Sequence, residues 1–287
     1  MDRQILESET FRSIRSRLNG LHLQITTEDP PHVSRYTACH RGFGVDLPEL
    51  WLRPVLPHLT HLTLYSYTRM WGLYPFVDFR EIGTFPCLES LSFGNWTIAH
   101  DWQIDWIISH ASTLKELLFH DCPIIPALRM AQRKENNMAS LNFPDLKAEG
   151  ADVWGDYFTL VTLRWHQLFD RFRSDLSHLD HFALRCTDTS GPNDCWSADD
   201  FDYRYNLTNS LRNTRYYFFD SDCNVSGTGC VPQWIDPGPE RRAYGFYRGW
   251  HHPKPSIEVK FPDCDEEDAA ALSRLMEVVN KRGSTRA

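Results

Sequence analysis

Apolar and polar positions recur along this chain as L-x-x-L-x-L, with Phe allowed in place of Leu, five times. The first three copies are Leu18-Asn19-Gly20-Leu21-His22-Leu23, Leu59-Thr60-His61-Leu62-Thr63-Leu64 and Leu88-Glu89-Ser90-Leu91-Ser92-Phe93. The last two are Leu114-Lys115-Glu116-Leu117-Leu118-Phe119 and Leu179-Asp180-His181-Phe182-Ala183-Leu184. Their starts lie 41, 29, 26 and 65 residues apart. In each copy the last two apolar residues are two apart, the spacing that places both side chains on one face of a strand. The first, three positions earlier, packs beneath the turn that leads into that strand. One such unit cannot bury its apolar side alone, whereas stacked units can.

The middle intervals fall near the roughly 20–29 residue period of leucine-rich repeats, and the others require insertions. The predicted fold is therefore α/β: a leucine-rich-repeat-like solenoid of irregular repeats, with strands on the concave face, helices outside and an amphipathic C-terminal capping helix. The array is assigned to residues 1–185, and an irregular continuation with a loop-rich insert and the C-terminal helix to 186–287. Leu160-Val161-Thr162-Leu163-Arg164-Trp165 nearly fits the motif. However, Trp154, Phe158, Val161, Trp165, Leu168 and Phe172 recur at helical steps, so 154–173 is predicted to be a helix. Asp101 is the predicted N-cap of a helix carrying Trp102, Ile104, Trp106 and Ile107. Asp263 or Asp265 would cap the last helix, with Ala269, Leu272, Met276 and Val279 on its apolar face and Gly283 at its end. Between 186 and 262 the motif is lost among Gly, Pro, Asn and Asp; strands are expected only at Tyr216–Phe219 and Ser256–Lys260.

Composition narrows the function classes. The 287 residues hold 30 Lys+Arg against 38 Asp+Glu, a net charge of −8, which argues against general binding to nucleic acid or an anionic membrane. No apolar run is long enough to cross a membrane, and the acid-bearing start, Met1 to Glu7, has no signal-peptide core. A cytoplasmic or nuclear location is expected. The eight cysteines are scattered and read as reduced thiols, and the glycosylation sequons at Asn95, Asn206 and Asn224 as chance matches.

The segment from Leu59 to Ile125 carries a further pattern: Phe85-Pro86 leading to Leu88, Leu91 and Phe93, Trp106-Ile107-Ile108-Ser109-His110, and Thr113-Leu114 running to Asp121-Cys122-Pro123-Ile124. These motifs resemble the leucine-rich-repeat half of filamentous-fungal F-box domain-containing proteins. The helix ending Leu275-Met276-Glu277-Val278-Val279 resembles that family's last element. The clear likeness covers roughly a quarter of the chain. It implies a non-catalytic protein-protein interaction module that captures the substrate of a cullin-based ubiquitin ligase. In that family an F-box binds the adaptor Skp1. Here Leu47-Pro48-Glu49-Leu50 matches an F-box opening only superficially, because it follows the first motif copy and runs directly into Leu59. Skp1 binding is therefore not expected. The chain is either a repeat-only relative or one whose front is missing from the gene model.

Chemistry-bearing patterns are few. His58/His61 and His178/His181 have a metal-like spacing but occupy equivalent motif positions and lack a third ligand. Cys223, Cys230, His251 and His252 lack the usual zinc spacings, and Asp220-Ser221-Asp222 lacks the glycine and glutamate of a calcium loop. Ser226-Gly227-Thr228-Gly229 is not followed by Lys-Ser/Thr, and no nucleophile motif occurs. No catalytic residue, metal or cofactor is expected. If the function is binding, the strand residues flanking the second apolar position face away from the core. From that row His61, Tyr65, Glu116, His120, His181 and Arg185 are the predicted contacts to an unknown target protein. The alternatives are a stand-alone or vestigial repeat scaffold with no ligase link, and an unrecognised hydrolase.

Overall fold

The computed structural model describes residues 3–25, 42–66, 70–130, 150–151, 157–186, 209, 211–223, 231–236, 244–246 and 257–285. In chain order its strands begin β1 (Gly20–Ile25), β2 (His61–Ser66), β3 (Ser90–Gly94), β4 (Glu116–His120), β5 (Ile124–Met130) and β6 (Gly150–Ala151). They continue β7 (Tyr157–Leu160), β8 (His181–Arg185), β9 (Tyr216–Cys223), β10 (Val231–Ile235), β11 (Tyr244–Phe246) and β12 (Ile257–Val259). The α-helices are α1 (Arg3–Leu6), α2 (Glu9–Arg15), α3 (Asp101–Ile108), α4 (Trp165–Asp175) and α5 (Asp265–Ser284).

The five motif copies supply β1, β2, β3, β4 and β8, which form one all-parallel sheet in that order. Their inward residues align without a slip: Leu21, Leu62, Leu91, Leu117 and Phe182 form one row, and Leu23, Leu64, Phe93, Phe119 and Leu184 the next. A repeated backbone device sets this register. The N–H groups of Thr60 and His61 both donate to Asn19 O, and those of Glu89 and Ser90 to Thr60 O. Lys115 and Glu116 donate likewise to Glu89 O, and Asp180 and His181 to Lys115 O, all at 2.8–3.0 Å. Shifting one strand by a residue would break this pairing and turn every Leu to the wrong face.

The leucine-rich-repeat-like solenoid does not form. The molecule is α/β, with an all-parallel five-stranded sheet in a Rossmann-like arrangement and a C-terminal helix packed behind it. The units joining the strands are unlike one another. A π-helical segment, Gly42–Leu52, leads towards β2, a 3-10 turn at Phe79–Glu81 towards β3, and α3 towards β4. Before β8 the chain leaves the sheet altogether. Residues between 124 and 235 build a second sheet, ordered β10-β9-β5-β7-β6, in which β5 and β9 are parallel and the remaining pairs antiparallel. Nor is the supposed concave face open, because Thr63, Ser92, Leu118 and Ala183 at its centre are buried. The motif encodes a strand and its inner row; it does not encode what joins the strands or what covers their other face. Within the parallel sheet the strands stand side by side in the order β1-β2-β3-β4-β8.

Three helix boundaries differ from expectation. Instead of a helix over 154–173, Tyr157–Leu160 pairs antiparallel with Ala127–Met130, and the helix starts only at Trp165. Its start is held by Gln167 Oε1 accepting the Arg164 N–H at 2.9 Å; Trp154 lies outside the described residues. The N-cap of α3 is His100, not Asp101: Gln103 Oε1 accepts the N–H groups of Ala99 and His100 at 2.8 and 2.9 Å. In α5 the predicted Leu272 and Val279 are buried and Met276 packs half-buried against the core, but Ala269 is exposed, and Asp268, Ala271 and Leu275 complete the buried face. The helix continues through Gly283, where a Cβ would come within 3.1 Å of Asp180 O. That glycine stands one residue before the helix end, at a close approach to the chain before β8.

One contiguous core runs from Leu21 to Val279 and draws on both sheets and the helices. At its centre Phe93 stacks on Trp96 at 4.2 Å, with Trp71 and Phe79 around them. A smaller cluster, including Leu73, Tyr74, Ile125, Leu128 and Phe219, covers the other face of the second sheet. The sequon residue Asn95 is committed to the fold: at φ 55° it donates Nδ2–H to Ser66 O at 2.7 Å. Asn206 and Asn224 lie outside the described residues. No helix among the described residues is long and apolar enough to cross a membrane.

Candidate functional site

Strand alternation and unbroken register place the six predicted contact residues on one face of the parallel sheet, in two rows. The first row, at the starts of the strands, is His61, Ser90, Glu116 and His181. The Glu116 carboxylate binds both ways along it. One oxygen accepts the Ser90 hydroxyl, and the other accepts His181 Nδ1–H at 2.6 Å. His61 is exposed, with Nδ1 2.8 Å from Thr60 Oγ1; Glu116 and His181 are half-buried and Ser90 is buried.

The second row, near the strand ends, is Tyr65, Gly94, His120 and Arg185. The Tyr65 ring lies directly over Gly94 and reaches His120, with ring centroids 6.1 Å apart. Asp121 follows in a left-handed conformation (φ 50°), with its carboxylate 3.6 Å from His120 Nε2 and its N–H donated to Arg185 O at 2.8 Å. Tyr65 is 5% exposed and His120 3%. Both lie beneath the surface of the face and support it. The accessible part is therefore the first row, with half-buried Arg185 at the far end.

Serine, carboxylate and imidazole meet here, but in an order unsuited to nucleophilic catalysis. An activated serine needs the imidazole on its Oγ, with the carboxylate behind the imidazole. Here the carboxylate stands between Ser90 and His181, so it, and not the imidazole, accepts the serine hydroxyl. The histidine pairs do not converge as ligands: His58 Nε2 lies 3.1 Å from Arg15 O, His61 turns to Thr60 and His181 to Glu116. Asp220 is ion-paired with Arg129 at 2.9 Å, both buried. Cys230, His251, His252 and the run Ser226–Gly229 lie outside the described residues.

A second polar cluster has no signature in the local sequence. Asp268, 0% exposed on the first turns of α5, accepts at Oδ1 from His166 N–H and Nδ1–H at 2.9 and 3.0 Å. At Oδ2 it accepts from Arg215 Nε–H and the Tyr216 hydroxyl, each at 2.9 Å. Tyr216 in turn accepts Trp165 N–H at 3.0 Å, and Arg215 also binds Asp265. Burial and the neighbouring carboxylate push the Tyr216 phenol far up, which keeps it a donor. Ligand atoms of His166, Cys264 and Asp268 lie within 4.8 Å of one another, a spacing that could suit a metal. However, both Asp268 oxygens are already filled, Oδ1 by His166 and Oδ2 by the Arg215 guanidinium and the Tyr216 hydroxyl. Burial also raises the Cys264 thiol, which disfavours the thiolate a metal requires. The cluster is a satisfied staple joining α4, β9 and α5. It is illegible in the sequence because Asp268 sits in the run Asp263 to Asp268, which reads as ordinary acids at a helix N-terminus.

The fold and this face together define an α/β protein with a fixed polar strip along the start of its parallel sheet. No family model matches the chain, and no curated protein or solved structure matches it.

Proposed function

We propose that this chain is a protein-binding module without catalysis of its own, and that the strip His61–Ser90–Glu116–His181, with Arg185, meets the partner. The observation that carries this reading is the hydrogen-bonded chain that runs from buried Ser90 to half-buried Glu116 and His181 on three adjacent strands. Polar groups fixed on rigid strands lose little entropy on binding, and a carboxylate that orders its neighbours favours recognition over turnover. The resemblance of Phe85–Ile124 to fungal F-box proteins makes the partner a protein presented to a ubiquitin ligase. A stand-alone scaffold differs only in lacking that link.

The test is quantitative affinity capture with the immobilised full chain, comparing it with His61→Ala/His181→Ala. The double variant is expected to lose about tenfold or more of specific binding, with its melting midpoint nearly unchanged. Identical capture by both proteins would sink the assignment of the surface. Ligase subunits among the specifically lost proteins would favour the ligase reading; their consistent absence would favour the scaffold.

A further inference from the structure

Arg15 closes the last turn of α2 and is only 4% exposed, yet no acid answers its charge. From Thr10 to Gln24 the chain carries Arg12, Arg15 and Arg17 and not one acidic residue. Arginine is almost never fully buried without a partner, because taking its charge out of water is costly. The guanidinium does have neutral neighbours. Nη1 donates to Leu50 O in the π-helical segment, and Cζ stands 5.1 Å from the centre of the Phe11 ring, which packs edge-on against Trp51. Nε, however, is sealed from solvent with no acceptor. Among the described residues no carboxylate pairs with Arg15, and burial, followed by the Arg12 charge, pulls its pKa down. Arg12 is exposed and is likewise in no ion pair among the described residues. Residues three apart on a helix share a face, so the two cations stand together.

We infer that Arg12 and Arg15 bind a phosphate group, either as inorganic phosphate or as a phosphate monoester. With Nη1 taken by Leu50, the side-on fork of Nε and Nη2 remains, and that fork matches two phosphate oxygens. The anion enters at Nη2, which unlike Nε is not sealed from solvent, and draws Nε–H into the same fork. Arg12 supplies the second charge from the solvent side. A doubly charged phosphate balances both arginines, whereas a carboxylate balances one. The dipole of a seven-residue helix opposes an anion at this end, but it is weak and screened, while the two guanidiniums make direct charge-assisted bonds. The site uses none of the residues of the polar strip and goes beyond the binding role assigned to it.

The test titrates the full chain, labelled with heavy nitrogen, with inorganic phosphate against chloride at constant ionic strength. The Arg15 Nε–H resonance, assigned through its contacts with the Phe11 ring, is followed by nuclear magnetic resonance. A saturable shift with its half-effect at about 1 mM or below is expected, together with a rise in the melting midpoint. Arg12→Ala, at an exposed position, should weaken binding about tenfold while leaving the phosphate-free melting midpoint nearly unchanged. Acetate should act at least about tenfold more weakly than phosphate. A phosphoserine peptide that saturates below the concentration needed for inorganic phosphate supports the site and names a phosphorylated chain as its ligand. Equal or weaker binding of that peptide supports it with free phosphate as the ligand. No shift up to about 20 mM phosphate, an equal response to acetate, or a response unaltered in Arg12→Ala overturns the inference. Arg15 would then serve only to hold Leu50. A rise in melting midpoint without a saturable shift is the general salting effect of phosphate and overturns it as well.

Discussion

At the scale of single residues, two positions carry more than their type suggests. Gly94 is one: a Cβ there would stand 1.9 Å from Tyr65 Cδ2, with the rest of that ring close behind. The glycine is retained because the second row of the sheet face is built by laying an aromatic ring across it. Gly94→Ala should therefore cost about 1–3 kcal/mol in urea unfolding. In a Tyr65→Ala background the same change should cost at least about 1 kcal/mol less, since the clash goes with the ring. Equal costs in both backgrounds would show that the ring is not the obstacle. His110 is the other. It is buried beside Phe85 and Trp106, with Nε2 accepting Phe85 N–H at 3.0 Å and Nδ1–H directed at Ile107 O. Burial pulls its pKa down to about 4, against an ordinary 6.5. The unfolded chain thus takes up a proton that the folded chain refuses. Stability from this group is complete above pH 6.5 and falls as the pH drops from 6.5 towards 4, by about 2.5 kcal/mol at pH 4.5. In His110→Gln the loss between pH 7 and pH 4.5 should shrink by about that amount. An unchanged pH slope would rule His110 out as the source.

At the scale of elements, the Asp268 staple holds the helical layer to the second sheet. Three elements converge on one carboxylate: α4 through His166, β9 and the turn before it through Arg215 and Tyr216, and α5 through Asp268 itself. Removing one side of a buried pair strands the other charge, whereas removing both need not. Asp268→Asn should cost about 3–5 kcal/mol, and Asp268→Leu/Arg215→Met together clearly less than the sum of the two single changes. Strict additivity in equilibrium unfolding would mean that the pair is not coupled. Elements differ in how far their own residues reveal them. The motif strands are legible because each copy places two apolar residues two apart, as one face of a strand needs, and the pattern recurs five times along the chain. The pairing of β5 with β9 is not legible, since Arg129 and Asp220 meet across 91 residues and both strands are apolar on two faces. Tyr157–Leu160 reads as part of a helix because its apolar residues also fit a helical period. Only the neighbouring β5, invisible in the local pattern, decides for a strand. The site divides in the same way: the alignment of His61, Glu116 and His181 follows from strand period, but the burial of Tyr65 and His120 depends on what covers the face, which the strand residues do not encode.

At the scale of the whole molecule, the difference between a solenoid and this α/β body is a difference in cooperativity. In a repeat array each unit touches only its neighbours, and a weakened unit opens locally. Here the core containing Leu91 and Phe93 of the parallel sheet also contains Ala127, Phe158 and Phe218 of the second sheet and Leu275 and Val279 of α5. A defect in one sheet should therefore be felt in the other. The buried Arg129–Asp220 pair, at 2.9 Å between β5 and β9, supplies the defect. Asp220→Ala leaves the Arg129 guanidinium buried without its carboxylate and should cost about 3–5 kcal/mol. If the molecule is one cooperative unit, native-state hydrogen exchange of the Leu91 amide should lose protection by the same free energy, although Leu91 is remote in sequence and lies in the other sheet. Asp220→Leu/Arg129→Met gives a gentler defect for the same comparison should the single variant not fold. Unchanged protection at Leu91, with loosening confined to β5 and β9, would mean that the two sheets are independent bodies. The strip at the start of the parallel sheet would then owe nothing to the second sheet. Coupled loss would instead make the second sheet part of what holds Ser90, Glu116 and His181 in line, and partner binding should weaken along with it.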